Sequence, residues 1–392
     1  MPLIPETARG KRLALLLTLA LVFALSTAIF IAYLRFALAN QPQTNDFMVF
    51  WSAARFMQQA PLHDVYDPAL FDAFQRGLGR GYYAKLPFLY PPFTAFLFFP
   101  LGMLPFSWAL LLWNGATLAL YAAAVWQAIR PRSVAAMAAV AGIVAPATAV
   151  TLLAGQVGLL TGALTLCGVT LLGRRPLLAG ALLGLLALKP QLALLPCLIL
   201  LTSRQSRAFV AAVLTVALLG LASAAVFGLD AWSAWVAALG GFAADVHGSA
   251  SHRQYGITVY FTLLDLGCGK YPALAIQALV AAAVLWSISR ALRRGLEAPQ
   301  RMLILVGLYL ATPYALVYDM PAISAVCLML LVEGQVRGLR ATDLLAIACG
   351  WCVPLLLALP HVHASGSGLL VLAGLFAVIA RRINTPIAEA AA

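Results

Sequence analysis

Apolar runs separated by short basic clusters repeat along the whole chain. The runs are residues 13–34, 108–129, 134–150, 157–172, 177–188, 192–201, 209–227, 273–288, 303–316, 323–336, 344–359 and 369–379. They are continuously apolar rather than alternating, and most are longer than a strand, so they predict helices in apolar surroundings. Several are short for a bilayer ~30 Å thick, so their ends must borrow flanking residues or sit where protein lines or thins the membrane. Between them lie basic clusters at Arg9/Lys11/Arg12, Arg130/Arg132, Arg174/Arg175, Arg204/Arg207, Arg290/Arg293/Arg294/Arg301, Arg337/Arg340 and Arg381/Arg382, 17 of the 25 Lys and Arg. Placing every cluster in the cytoplasm makes each run one span. The prediction is an all-α, multi-pass protein of about 12 spans, a single transmembrane domain over residues 1–392, with both termini cytoplasmic. Residues 93–104 break the alternation. They are apolar but only a dozen long, bracketed by Pro91-Pro92 and Pro105. Counting them as a span would put Arg130 and Arg132 outside, so they read as a re-entrant or interfacial element.

Composition agrees. Of 392 residues 63% are hydrophobic and 10% charged, with mean hydropathy +0.94, which excludes a soluble domain. The formal charge of +12 could suggest nucleic acid. The basic residues, however, occupy inter-helix positions and form no stripe with interleaved aromatics, so no nucleic-acid partner is expected. Residues 13–34 are too long for a signal-peptide core, and Arg35 and Phe36 precede the candidate cleavage residues, so this run reads as a retained first helix. The six cysteines lie mostly in apolar runs and predict no disulfide framework. No internal repeat or low-complexity tract is present.

The polar chemistry separates by side under this topology. All five histidines and eight of the thirteen acids fall on the outer side. Two long outer segments, residues 40–90 and 230–271, contrast with inner loops of a few residues. The working surface is therefore expected to be periplasmic.

Six stretches there carry candidate chemistry. The first is Asn45-Asp46-Phe47-Met48-Val49-Phe50-Trp51-Ser52-Ala53-Ala54-Arg55. It predicts an amphipathic helix in the membrane interface, rings down, with Asp46 at its start. Asp46 is a candidate general base, against the alternative of a helix N-cap, and Trp51 and Arg55 are candidate substrate contacts. Phe88-Leu89-Tyr90-Pro91-Pro92 holds Tyr90 at headgroup depth, as a belt anchor or a substrate contact. Ala154-Gly155-Gln156-Val157-Gly158 offers Gln156 to a hydroxyl-rich ligand, or is a plain turn. Lys189-Pro190-Gln191 puts a solitary ammonium between two apolar runs. Such a group needs an anionic partner, for which a lipid phosphate is suited, unless it snorkels. Thr312-Pro313-Tyr314 to Tyr318-Asp319 adds another acid with Tyr314 and Tyr318, and His252-Arg253-Gln254-Tyr255 forms a polar knot in the second loop. His361 and His363 lack a third ligand, so no metal is expected.

Asp46-Phe47 with Trp51-Ser52-Ala53-Ala54, Tyr90-Pro91-Pro92, Gly155-Gln156, Ala179-Gly180 with Gly184 and Lys189-Pro190, and Thr312-Pro313-Tyr314 with Tyr318-Asp319, in this order, resemble glycosyltransferase family 87 of the GT-C superfamily. That family includes mycobacterial polyprenol-phosphate-mannose-dependent mannosyltransferases. The resemblance implies a GT-C fold with an active site at the outer face of the bacterial cytoplasmic membrane. It implies a polyprenyl-phosphate sugar as donor, a lipid or glycan as acceptor, and the first-loop acid, here Asp46, as base. Many relatives carry a tryptophan and a histidine near the acid where this chain has Val317-Tyr318-Asp319. Transfer of this kind needs a cation for the departing phosphate, for which Lys189 is the candidate with Arg253 or His252. It also needs polar groups to position the sugar, here Gln156, Tyr90, Tyr318 and Asp319. No cofactor is expected, and one base with direct displacement implies inversion. A secondary transporter or lipid flippase is the competing class, opposed by the absence of two related halves and by the asymmetric outer loops. A non-catalytic membrane scaffold is the third.

Overall fold

The computed structural model describes residues 46–78, 87–248, 254–358 and 366–384, with a few single positions before residue 32. Among the described residues every regular element is helical, and one isolated bridge joins Gly256 to Leu316. The first apolar run, 13–34, lies almost wholly outside the described residues.

The other eleven predicted runs all appear as helices. The first outer segment holds α1 (Phe47–Phe56) and α2 (Pro68–Gly77). Then follow α3 (Phe106–Ala128), α4 (Arg132–Ile143), α5 (Pro146–Ala154), α6 (Gly158–Leu171), α7 (Pro176–Gly184) and α8 (Pro190–Thr202). A turn of 3₁₀ helix, Leu185–Leu188, extends α7. After α9 (Ser206–Phe227), the second outer segment contributes α10 (Leu229–Gly248) and α11 (Val259–Asp265). The chain closes with α12 (Lys270–Leu292), α13 (Ala298–Ala311), α14 (Pro321–Arg337), α15 (Ala341–Ala358) and α16 (Ser367–Asn384).

Length divides these helices into two kinds. Five of them, α3, α9, α12, α15 and α16, are long and apolar enough to cross a membrane, and α4 with α5, bent by 47°, would make a sixth. These five are mostly exposed along their apolar faces, with Leu218, Leu221, Leu279 and Leu370 open to the surroundings. The shorter α6 and α13 rise only ~20 Å at 1.5 Å per residue. With α14 they are buried along most of their length. An interior helix meets protein rather than lipid, so hydrocarbon thickness does not set its length. Close packing at the centre depends on small residues. A Cβ on Gly180 in α7 would lie 2.0 Å from the Ala208 carbonyl oxygen of α9, so only glycine permits this approach.

Basic clusters collect at one end. There Arg382 pairs with Glu333 at 2.5 Å and Asp343 at 2.7 Å, Arg381 also pairs with Asp343, and Arg337 pairs with Glu333 at 3.1 Å. This network ties α14, α15 and α16 together. Helices α6, α8 and α14 run from the opposite end toward the basic one, and α5, α7 and α13 run back, so the turns at Gln156, Lys189 and Asp319 share that opposite end.

One expectation fails here. Helix α1 does not lie amphipathically in the interface. Phe47 through Ala54 are all buried, Phe47, Ser52, Ala53 and Ala54 completely. The apolar segment Pro92–Met103 folds over α1 as short helical turns, and α3 packs on it from another side. Phe50 stacks on Phe98 at 4.5 Å, and Phe47 on Trp113 at 6.2 Å. Away from the rings the helix carries Met48, Val49, Ser52 and Ala53, so covering that face costs no buried charge.

Candidate active site

Asp46 directly precedes α1. Its backbone is already helical, at φ −60° and ψ −20°, and its side chain caps no backbone N–H. An N-cap normally holds extended backbone and turns its oxygen onto the second or third N–H of the helix. The cap reading of Asp46 therefore fails. Instead Oδ2 accepts a hydrogen bond at 2.9 Å from Nε2 of Gln156, 110 residues away.

Gln156 stands in the turn between α5 and α6. Gly155, at φ 64°, ends α5 in the left-handed conformation, and its carbonyl accepts from the Trp113 indole at 3.1 Å. The Gln156 Oε1 faces the Tyr90 hydroxyl and the Val157 N–H, each at 3.4 Å. Tyr90 is fixed from both sides of its backbone. Its carbonyl accepts from the Tyr66 hydroxyl at 2.8 Å, and the preceding Leu89 carbonyl accepts from the Trp235 indole at 3.0 Å. The two long outer segments thus meet at Leu89 and Tyr90. The Tyr90 ring packs edge-on against Phe50 of α1 at 5.0 Å.

Lys189 lies on the floor of the same cluster, 5% exposed. Its ammonium pairs with Asp319 Oδ1 at 2.5 Å and sits 5.0 Å over the Tyr318 ring. The partner it requires is therefore first a protein carboxylate. The other Asp319 oxygen accepts from the Leu316 N–H at 3.1 Å, so both oxygens of Asp319 point into the protein. This ties Asp319 to Lys189 and to its own turn more closely than to a sugar. Pro190 is the first residue of α8, where its missing N–H is no loss.

The Asp319 turn is held from two directions. From one side, the Ile257 N–H donates to the Ala315 carbonyl at 3.1 Å, and the Thr258 hydroxyl to the Pro313 carbonyl at 3.2 Å. From the other, the Thr151 hydroxyl donates to the Tyr318 carbonyl at 2.8 Å. Gly158 makes that second contact possible. A Cβ there would lie 1.8 Å from the same Tyr318 oxygen, so any other residue would force the turn off α6.

Burial governs the electrostatics. Asp46 is only half-buried, yet desolvation raises its pKa above the ordinary carboxylate value, and the Gln156 hydrogen bond and Lys189 charge oppose that rise. The Tyr90 and Tyr318 phenols are pushed up, first by burial and then by nearby negative charge, Asp46 and Asp319 included. They remain neutral donors at any working pH. Asp46, Tyr90, Tyr314 and Tyr318 are partly open at the mouth, while Gln156, Lys189 and Asp319 are buried beneath them.

Six predicted residues therefore converge: Asp46, Tyr90, Gln156, Lys189, Tyr318 and Asp319. Two do not join them. The Trp51 indole donates to the Leu104 carbonyl at 2.9 Å, and Arg55 donates to the Gly102 carbonyl at 3.2 Å while covering the Trp51 ring. Both anchor the Pro92–Met103 segment to α1. The two backbone carbonyls that accept from them lie at the end of a 3₁₀ turn. His252, Arg253, His361 and His363 lie outside the described residues. Among the described residues no three His, Cys, Asp or Glu side chains form a metal-binding group. Sequence reasoning missed Trp113, Thr151 and Gly158. A threonine in an apolar helix is a poor signal, because it commonly bonds its own helix, as Thr151 also does to Ala147 at 2.7 Å.

The model of the family described as Glycosyltransferase family 87 matches residues 88–318, more than half of the chain. The span takes in Tyr90, Gln156, Lys189 and Tyr318, begins after Asp46 and stops one residue before Asp319. No curated protein and no solved structure matches the chain.

Proposed function

Because the chain belongs to glycosyltransferase family 87, we propose that it moves a sugar, of mannose type, from a polyprenyl-phosphate donor to a hydroxyl of a lipid or glycan acceptor. The observation that carries this reading is the 2.9 Å hydrogen bond from Gln156 to Asp46. It joins a carboxylate outside the matched span to the polar cluster inside it. Family membership displaces the transporter or flippase reading.

The reaction follows from the side chains present. Asp46 removes the proton from the acceptor hydroxyl, and that oxygen attacks the anomeric carbon. The bond from that carbon to the phosphate oxygen breaks, and the polyprenyl phosphate leaves with the electron pair. Lys189 stabilises the departing charge. An ammonium has three N–H donors, of which Asp319 takes one, so the others are available to the phosphate. One base acting in a single displacement inverts the anomeric centre. No cofactor enters these steps. Membranes supplied with radiolabelled polyprenyl-phosphate sugars, one at a time, should transfer label from the mannosyl donor. Transfer from a nucleotide sugar alone would overturn the donor class.

The same reading places all twelve apolar runs across the bacterial cytoplasmic membrane, with the site at its periplasmic face. In its support, the basic turns and the site turns lie at opposite helix ends, as the positive-inside bias requires. In intact cells, with Cys268 replaced by Ser, an impermeant thiol reagent should label Ala60→Cys and leave Ser206→Cys untouched. Labelling of Ser206→Cys would reverse the orientation.

A further inference from the structure

The Gln156 carboxamide has one orientation that its neighbours accept. Oε1 faces two donors, the Tyr90 hydroxyl and the Val157 N–H, and Nε2 faces the Asp46 carboxylate. Turning the amide over would set its NH₂ against the Val157 N–H and its oxygen against a carboxylate. The backbone N–H cannot reverse its role, so the polarity of the chain Tyr90 to Gln156 to Asp46 is set. Both ends of the Gln156 carboxamide thus already face protein groups.

We infer that Tyr90 and Gln156 form a positioning relay that aims Asp46 and holds it as the carboxylate, so that Gln156 serves the base and is not a sugar contact. This rests on the reading of Asp46 as the base. A donor aimed at one oxygen restricts rotation of the carboxyl group and favours its charged form, and the Tyr90 hydroxyl polarises that donor further. Other groups act on Asp46 as well. Lys189, already paired with Asp319, supplies positive charge from below. Tyr314 and Tyr318 share the cluster with Asp46 as neutral phenols. Gln156 and Tyr90 are the adjustable pair, because neither carries charge.

The test reads Asp46 directly. Infrared difference titration of the purified protein in lipid nanodiscs, wild type against Asp46→Asn, isolates the Asp46 carboxyl band. In a Gln156→Leu background the midpoint of that band should move up by about one pH unit or more, the scale of one hydrogen bond to a carboxylate. Tyr90→Phe should move it in the same direction by less. Gln156→Glu keeps the size and sets two carboxyl groups side by side, so they share a proton. Sugar transfer by this variant should peak where the pair holds one proton and fall on either side, where the wild type falls only as pH drops. An unmoved midpoint in Gln156→Leu, or a raised KM with the wild-type pH profile, overturns the relay and makes Gln156 a substrate contact. A moved midpoint together with full transfer by Asp46→Asn sinks the base assignment alone.

Discussion

Asp46→Asn should yield a folded protein that transfers sugar roughly 10²–10⁴-fold more slowly than the wild type, the usual worth of positioned proton transfer. The substitution preserves size. It also preserves capping capacity, since Asn and Asp cap helices about equally well, and the structure shows no cap to lose. What it removes is the basic oxygen. The wild-type rate should fall on acidification as Asp46 takes up a proton. That limb should lie above the ordinary carboxylate range, because burial is the largest influence on the group and outweighs Gln156 and Lys189. The acid limb should vanish with the residual rate of Asp46→Asn. Transfer at the wild-type rate by purified Asp46→Asn would place the base elsewhere, with Asp319 the next carboxylate to consider.

Lys189→Met should damage both folding and transfer. Lys189 and Asp319 are 5% and 1% exposed, and removing one member of a buried pair leaves the other charge without compensation. Such losses run to about 3–5 kcal/mol, visible as a lowered thermal unfolding midpoint in detergent. Lys189→Met combined with Asp319→Leu removes both charges, and apolar replacement of a whole buried pair is often neutral or stabilising. If Lys189 is the cation for the departing phosphate, the double variant should regain stability while transfer stays lost. Recovery of transfer along with stability would reduce Lys189 to a structural counter-ion. A Lys189→Met protein as stable as the wild type would contradict the structural half of the expectation.

Much of this arrangement could be read from the sequence. The helical runs are strongly apolar, and their placement depends on composition more than on partners, so eleven of them reappear within a few residues. The site turns were recognisable as polar interruptions of those runs. Pairing between turns was not. Asp46 and Gln156 are 110 residues apart, Lys189 and Asp319 130 apart, and no local pattern encodes which polar group meets which. Lys189 announced its need for an anion through its isolation, but not that Asp319 would meet it. The burial of α1 was hidden for a similar reason. Its cover, Pro92–Met103, reads as an isolated apolar stretch until Trp51 and Arg55 are seen bonded to its carbonyls.

The pairing of Lys189 with Asp319 also orders events during synthesis. Chains emerge from the N-terminus, so Lys189 reaches the membrane some 130 residues before its counter-ion exists. Over that interval Lys189 lacks the carboxylate it pairs with in the folded protein, and an ammonium between two apolar arms is costly away from headgroup level. A chain halted before the Asp319 turn therefore keeps an ammonium whose buried partner has yet to be made.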